Sequence, residues 1–167
     1  DLRRPMCHRL AGISSKPGLT NVLTGQKSAQ ECIRGLSIDR GDVGSVDVLP
    51  TGPIPPNPAE LLDSQGMNDV LDELRTSYDR VIVDSAPVMV AADASILGAK
   101  SDGVLLVVEA EQTARSALRH SVEQLSGVGG NVLGGILNRV DVSRLNYYHS
   151  DYYHYGYSRY YQDYRST

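Results

Sequence analysis

The run VIVDSAP, Val81 to Pro87, closes an apolar stretch with an aspartate. A carboxylate at the end of a buried strand can hold a magnesium ion, or a water on it, beside a nucleoside triphosphate. The first residues, DLRRP, offer a second carboxylate, Asp1, which would also stand at a strand end if a strand led into it. Asp1 and Asp84 could then flank one metal. An isolated match of this kind more often marks a residue that caps the next turn, so the surrounding elements decide its weight.

A different chemistry lies at the other end of the chain. Nine of the ten tyrosines fall between Tyr147 and Tyr164, in a stretch with no leucine, isoleucine or valine after Leu145. Nine phenols without aliphatic partners cannot build a core, so residues 143–167 are expected to form a flexible tail whose chemistry is its hydroxyls. His149 and His154, with Asp151 between them, would lack fixed geometry as metal ligands there and read as solvated side chains.

The elements that must position these groups alternate between short apolar runs and helical patterns. Candidate strands are Val46 to Leu49, Val81 to Asp84, Gly103 to Val108 and Val132 to Leu137. Pro58 to Ser77 carries apolar residues at Leu61, Leu62, Val70, Leu71 and Leu74, and Glu111 to Leu125 repeats Ala114, Leu118, Val122 and Leu125 at helical spacing. Thr113 is the expected cap of the second helix and Gly127 its stop, while Asp93 is the expected cap of a helix over Ala94 to Ala99. The result is an α/β fold with a doubly wound, mainly parallel sheet, in which ligands gather at the carboxyl ends of the strands. Residues 11–45 give only short helical hints near Leu10 and Leu23. The proline-rich stretch Thr51 to Pro58 reads as a rigid strand-to-helix connector, with Asn57 or Pro58 starting the helix.

Composition excludes several classes. A chain of 167 residues with 41% hydrophobic content suits one domain plus a tail, here residues 1–142 and 143–167. A net charge of -4 without a lysine and arginine cluster argues against nucleic-acid binding. Cys7 and Cys32 lack metal-ligand spacing and read as small apolar fillers in a reducing, intracellular setting. No apolar run is long enough to cross a bilayer.

Taken in order, DLRRP, LPTGPIPPNPAELL, VIVDSAP, DGVLLVV, ILNRV and a tyrosine-rich terminus resemble the cytoplasmic catalytic domain of bacterial tyrosine kinases. These BY-kinases of capsule and exopolysaccharide export are related to the MinD and ParA deviant P-loop ATPases. The resemblance implies that Asp1 matches the second acidic residue of the Walker A-prime pattern, Arg3 its arginine, and Asp84 the Walker B aspartate, with Ser85 beside it. It implies catalysis by Asp1 and Asp84 and their organisation of Mg²⁺, with Arg3, Ser85 and Asn138 toward ATP. Asn138 also reads as a strand-end turn former. The acceptors would be Tyr147, Tyr148, Tyr152, Tyr153, Tyr155, Tyr157, Tyr160, Tyr161 and Tyr164, phosphorylated in trans within a homo-oligomeric ring. Implied partners are a membrane-spanning polysaccharide co-polymerase or activator and a cognate tyrosine phosphatase, with no nucleic acid. The implied location is the inner face of the bacterial plasma membrane. The alternative is a MinD-like regulatory ATPase or inactive scaffold with an aromatic binding tail.

The chain departs from that family in one respect: it holds no phosphate-binding loop of the form G-x-x-x-x-G-K-[ST]. GQKS at Gly25 to Ser28 and GAKS at Gly98 to Ser101 lack the second glycine, and the glycines of Gly127 to Gly135 read as cap and turn. The expectation is an N-terminally truncated fragment, missing the Walker A loop and two central strands, and inactive alone because phosphoryl transfer depends on gripping the β and γ phosphates.

Overall fold

Leucines from opposite ends of the sequence mark where the core forms. Leu2, Leu62, Met67 and Leu97 are buried together, with Leu19, Leu23, Leu71 and Ile96 packed against them. The computed structural model describes residues 1–37 and 45–141. The tail with its nine tyrosines therefore lies outside the described residues.

The chain opens with three short helices, α1 (Cys7–Leu10), α2 (Leu19–Leu23) and α3 (Ala29–Cys32). The first two coincide with the helical hints near Leu10 and Leu23. Ser28 caps α3 by accepting from the Glu31 amide, and Glu31 reaches back to the Ser28 amide at 2.9 Å, a reciprocal capping box. Strands β1 (Arg34–Leu36) and β2 (Val46–Val48) then pair antiparallel. The strand expected at Val46 to Leu49 thus forms as a hairpin partner rather than as a member of the parallel sheet.

The helix expected over Pro58 to Ser77 is two helices, α4 (Pro58–Asp63) and α5 (Gln65–Ser77). Ser64 divides them. Its backbone is extended at ψ 159°, its hydroxyl donates to Leu61 O at 2.7 Å, and the same oxygen accepts from the Met67 amide. A serine hydroxyl competes for helical backbone partners, so one residue ends one helix and caps the next. The apolar face survives the break, with Leu62, Met67 and Val70 buried.

A βαβ unit completes the described chain, preceded by α6 (Asp93–Lys100) and made of β3 (Val104–Glu109), α7 (Arg115–Gly127) and β4 (Val132–Asn138). Strands β3 and β4 pair parallel, from Val104 opposite Val132 to Glu109 opposite Asn138. Two caps differ from expectation. Helix α7 starts after Ala114 with no side-chain cap, because Thr113 Oγ1 accepts from the Glu109 amide instead. Helix α6 starts after Ala92, also without a side-chain cap, and Asp93 is its first residue. Helix α7 does end at Gly127.

The larger difference concerns the sheet. Among the described residues there are two two-stranded sheets, not one doubly wound sheet, and Val81 to Asp84 is not a strand. A strand exists only when a neighbour accepts its ladder, and no described residue pairs with this segment, so Ile82 stands 95% exposed. The sheet is bare in the same way: Leu105 and Val107 on β3, and Leu133, Ile136 and Leu137 on β4, are each at least half exposed.

Candidate active site

The acidic segments that sequence separates lie side by side. The Asp1 nitrogen donates to Asp84 O at 2.7 Å, across 83 residues, and stands 3.5 Å from Asp84 Oδ2. The Asp1 carboxylate is held by its own chain, since Oδ1 accepts from the amides of Arg3 at 2.8 Å and Arg4 at 3.0 Å. Its carbonyl accepts from Thr51 Oγ1 at 3.2 Å. Asp84 itself is exposed, while Asp1, Asp84, Ser85 and Asp93 all border one small cavity of about 30 Å³.

Backbone contact explains how the proline-rich loop reaches this place. The amides of Leu19 and Thr20 donate to Pro50 O and Thr51 O at 2.8 and 2.9 Å, and the Gly52 amide donates to Ser15 O at 2.9 Å. The two strips approach so closely that a Cβ on Gly18 would overlap Pro50 O and the Gly52 nitrogen, and Gly52 turns with φ +84°. Thr51 is thereby carried to Asp1.

Arg3 is engaged elsewhere than at an open face. Its Nε and Nη2 donate to Asp93 Oδ2 and Oδ1 at 3.0 and 2.8 Å, a two-pronged pair that raises the guanidinium pKa. Asp93 is 1% exposed. Sequence reading took Asp93 for a helix cap; its partner lies 90 residues away, so no local pattern could have revealed it.

Cys7 also differs from its sequence reading. Cys32 is a buried filler, but Cys7 is exposed and its thiol lies 3.5 Å from Asp84 Oδ2. Burial of the sulfur and then the Asp84 charge push the Cys7 pKa up.

Ser85 borders the shared cavity, whereas Asn138 does not. Ser85 Oγ donates to Ala86 O at 3.1 Å. Asn138 ends β4, its Oδ1 accepts from the Arg139 amide at 2.9 Å, and Arg139 takes a left-handed φ of 56°. That bond is local to the strand end, to the amide of the next residue, and is not the i to i+2 bond of an Asx turn. Arg139 closes the carboxyl end of the sheet through Glu109 at 2.7 Å.

Neither lysine-serine tetrapeptide makes a phosphate cradle. GAKS ends α6, where carbonyls rather than amides point outward, and Lys100 Nζ donates to Asn68 Oδ1 at 2.7 Å. In GQKS, Lys27 pairs with Glu31 at 2.7 Å and, with the Ser28 amide, holds that carboxyl down to about 2. A larger cavity of about 390 Å³ on α5 contains Arg75 and Lys100, but Asp72, Asp102 and Asp63 lie within 3.2 to 3.8 Å of those cations. It is not an anion site.

The donor set around Asp84 fits magnesium. Among the described residues no group of three or more His, Cys, Asp and Glu gathers as a metal site; Asp1 and Asp84 instead bring one carboxylate each to the border of one cavity, as many as a cation that keeps its waters and takes the rest of its oxygens from phosphate needs. The same residues do not fit a triphosphate, because a cavity of about 30 Å³ holds little more than a water and no amide cradle adjoins it.

No family model matches the chain. It is 36% identical over 148 residues, 89% of its length, to the tyrosine-protein kinase YwqD of Bacillus subtilis. It is 35% identical over 165 residues to a putative tyrosine-protein kinase EpsB of Ralstonia solanacearum. Its structure matches the VpsO kinase domain with a TM-score of 0.76 at 34% identity, covering 84% of this chain and 68% of that one. The kinase domain of the Escherichia coli tyrosine kinase ETK matches with the same TM-score and identity, over 83% of this chain and 52% of that one. The chain belongs to the bacterial tyrosine kinase family and corresponds to part of its catalytic domain. It spans 60% of the length of YwqD and 20% of that of EpsB.

Proposed function

We propose that these residues supply the acidic half of the site, and the acceptor tail, of an ATP- and Mg²⁺-dependent protein-tyrosine autokinase that regulates capsule or exopolysaccharide synthesis. The observation that carries this reading is the juxtaposition of Asp1 and Asp84 across 83 residues, beside one small cavity. Asp1 and Asp84 are the residues that would hold Mg²⁺, which would supply charge stabilisation to the transferred phosphoryl group. An exposed Asp84 also has room to accept the phenolic proton as the tyrosine oxygen becomes a nucleophile. The grip on ATP is assigned to none of these residues, for want of a cradle. Residues 1–142 act as the catalytic portion, within a sheet of doubly wound P-loop type, and 143–167 as substrate.

Nine phosphates at about 1.5 to 2 charges each add roughly 14 to 18 negative charges to the tail. The tail's own arginines, Arg144, Arg159 and Arg165, can offset only three of them. Full modification therefore expels the tail and loosens a homo-oligomeric ring, and a phosphatase resets it. No helix among the described residues is long and apolar enough to cross a membrane, and attachment at the inner face of the plasma membrane falls to a membrane-spanning activator.

The test uses radiolabelled ATP. The 167-residue polypeptide alone is expected to show negligible self-labelling and to be labelled on the tail when mixed with a complete kinase, read by phosphopeptide mass spectrometry. Robust self-labelling by the polypeptide alone overturns the division of labour; no labelling of its tail by the complete kinase overturns the substrate role.

A further inference from the structure

We propose that Asp93 is a positioning residue for the metal-facing carboxylate of Asp1, acting through Arg3. The inference rests on the reading of Asp1 and Asp84 as the Mg²⁺ pair and assigns a role to two residues that pair does not include. A nearly inaccessible carboxylate is costly to bury unless a cation and hydrogen bonds satisfy it. Asp93, at 1% exposure, is satisfied by the Arg3 fork through bonds of 3.0 and 2.8 Å. A planar guanidinium bonded at two points is held in one orientation, and it tethers the Arg3 main chain to the start of α6. That backbone amide is the group that donates to Asp1 Oδ1 at 2.8 Å.

The neighbouring residue is anchored by the same helix. Leu2 is 4% exposed and belongs to the core cluster that includes Leu97 of α6, the helix whose first residue is Asp93. Helix α6 thus holds residues 2 and 3 by an apolar contact and an ionic one, leaving Asp1 little freedom except its own side-chain rotation. One of its oxygens is already spent on two amides, which fixes that rotation as well. Asp93 also lines the cavity that Asp1 and Asp84 share. A site that needs two carboxylates at one cation gains affinity when neither must be ordered on binding.

Arg3 therefore acts toward the protein interior, not chiefly toward a nucleotide. The test is Mn²⁺ affinity of the 167-residue chain, read from the free-ion electron paramagnetic resonance signal, with helix content checked by circular dichroism. Asp84→Asn and Asp1→Asn test the underlying reading: each should abolish or strongly weaken binding, and a wild-type chain with no Mn²⁺ affinity, or one indifferent to both changes, overturns that reading and this inference with it. Asp93→Asn and Arg3→Lys test the inference itself. Each should weaken Mn²⁺ binding by about 10- to 100-fold while the helix signal persists, and the double variant should bind no worse than the weaker single one. Arg3→Lys keeps the charge but removes the fork, and serves if Asp93→Asn fails to fold. Folded variants with unchanged Mn²⁺ affinity, in a chain where Asp84→Asn removes it, overturn the role of Asp93.

Discussion

The two ends of the described chain treat apolar side chains in opposite ways. Around α4, α5 and α6, leucines distant in sequence are brought together and sealed, with Leu2 and Leu62 at 4% and 3% exposure. Along β3 and β4 the residues are as apolar, yet Val107 and Leu133 stand 64% and 65% exposed, and Leu106 alone on β3 is buried. The helices are amphipathic and need one covered face, which the chain provides. The strands are apolar on both faces, as parallel strands are, and need two.

The comparison can be broken by mutation. Leu62→Ala should cost about 2–5 kcal/mol in urea unfolding, whereas Val107→Ala should stay within about 0.5 kcal/mol. Equal costs would mean that the sheet face is covered in solution, for instance by a second copy. A smaller effect sharpens the packed side. Because the Asp84 charge helps to hold the Cys7 thiol protonated, Asp84→Asn should lower that pKa and speed iodoacetamide labelling of Cys7 at pH 8 severalfold, with buried Cys32 as the unreactive internal reference. Unchanged labelling would separate Cys7 from Asp84.

The smallest effect concerns the joint between the hairpin and α5, where Tyr78 Oη donates to Asp47 Oδ2 at 2.7 Å. That bond, then burial and the Asp47 charge, raise the phenol pKa. A raised folded value means that the bond's contribution is present below the ordinary pKa of about 10 and is lost as pH climbs through the higher folded one. Unfolding midpoints measured from pH 9 upward should fall for the native chain and fall less for Tyr78→Phe.

Local pattern made part of this structure legible. The βαβ unit showed itself because β3, α7 and β4 each carry their own periodicity, and short loops allow little choice in joining them. The segment Val81 to Asp84 has the same apolar signature as β3 but is not a strand, since pairing belongs to a neighbour and not to the sequence that seeks one. The break at Ser64 went unseen because the apolar spacing runs through it undisturbed. At the site, motif resemblance pointed to Asp1 and Asp84 and took in Thr51 only as part of the proline-rich string, whereas Asp93 and Cys7 carry no motif; all three reach the site through contacts of 50 to 90 residues' separation. The nine tail tyrosines are legible in composition alone and lie outside the described residues.

The seam between Gly18 and the Pro50 to Gly52 strip is closed by main chain against main chain, with the Asn21 side chain bonded to the Gly18 amide beside it. Such a joint cannot be varied by substitution, since every side chain other than hydrogen pries it open. A side chain is more easily changed on the arc beyond it, from Pro53 to Asn57, where Ile54 is already in solvent. The seam is then a staple at the base of the loop, and a label or affinity handle meant to leave the acidic pair undisturbed belongs on the arc and not at the staple.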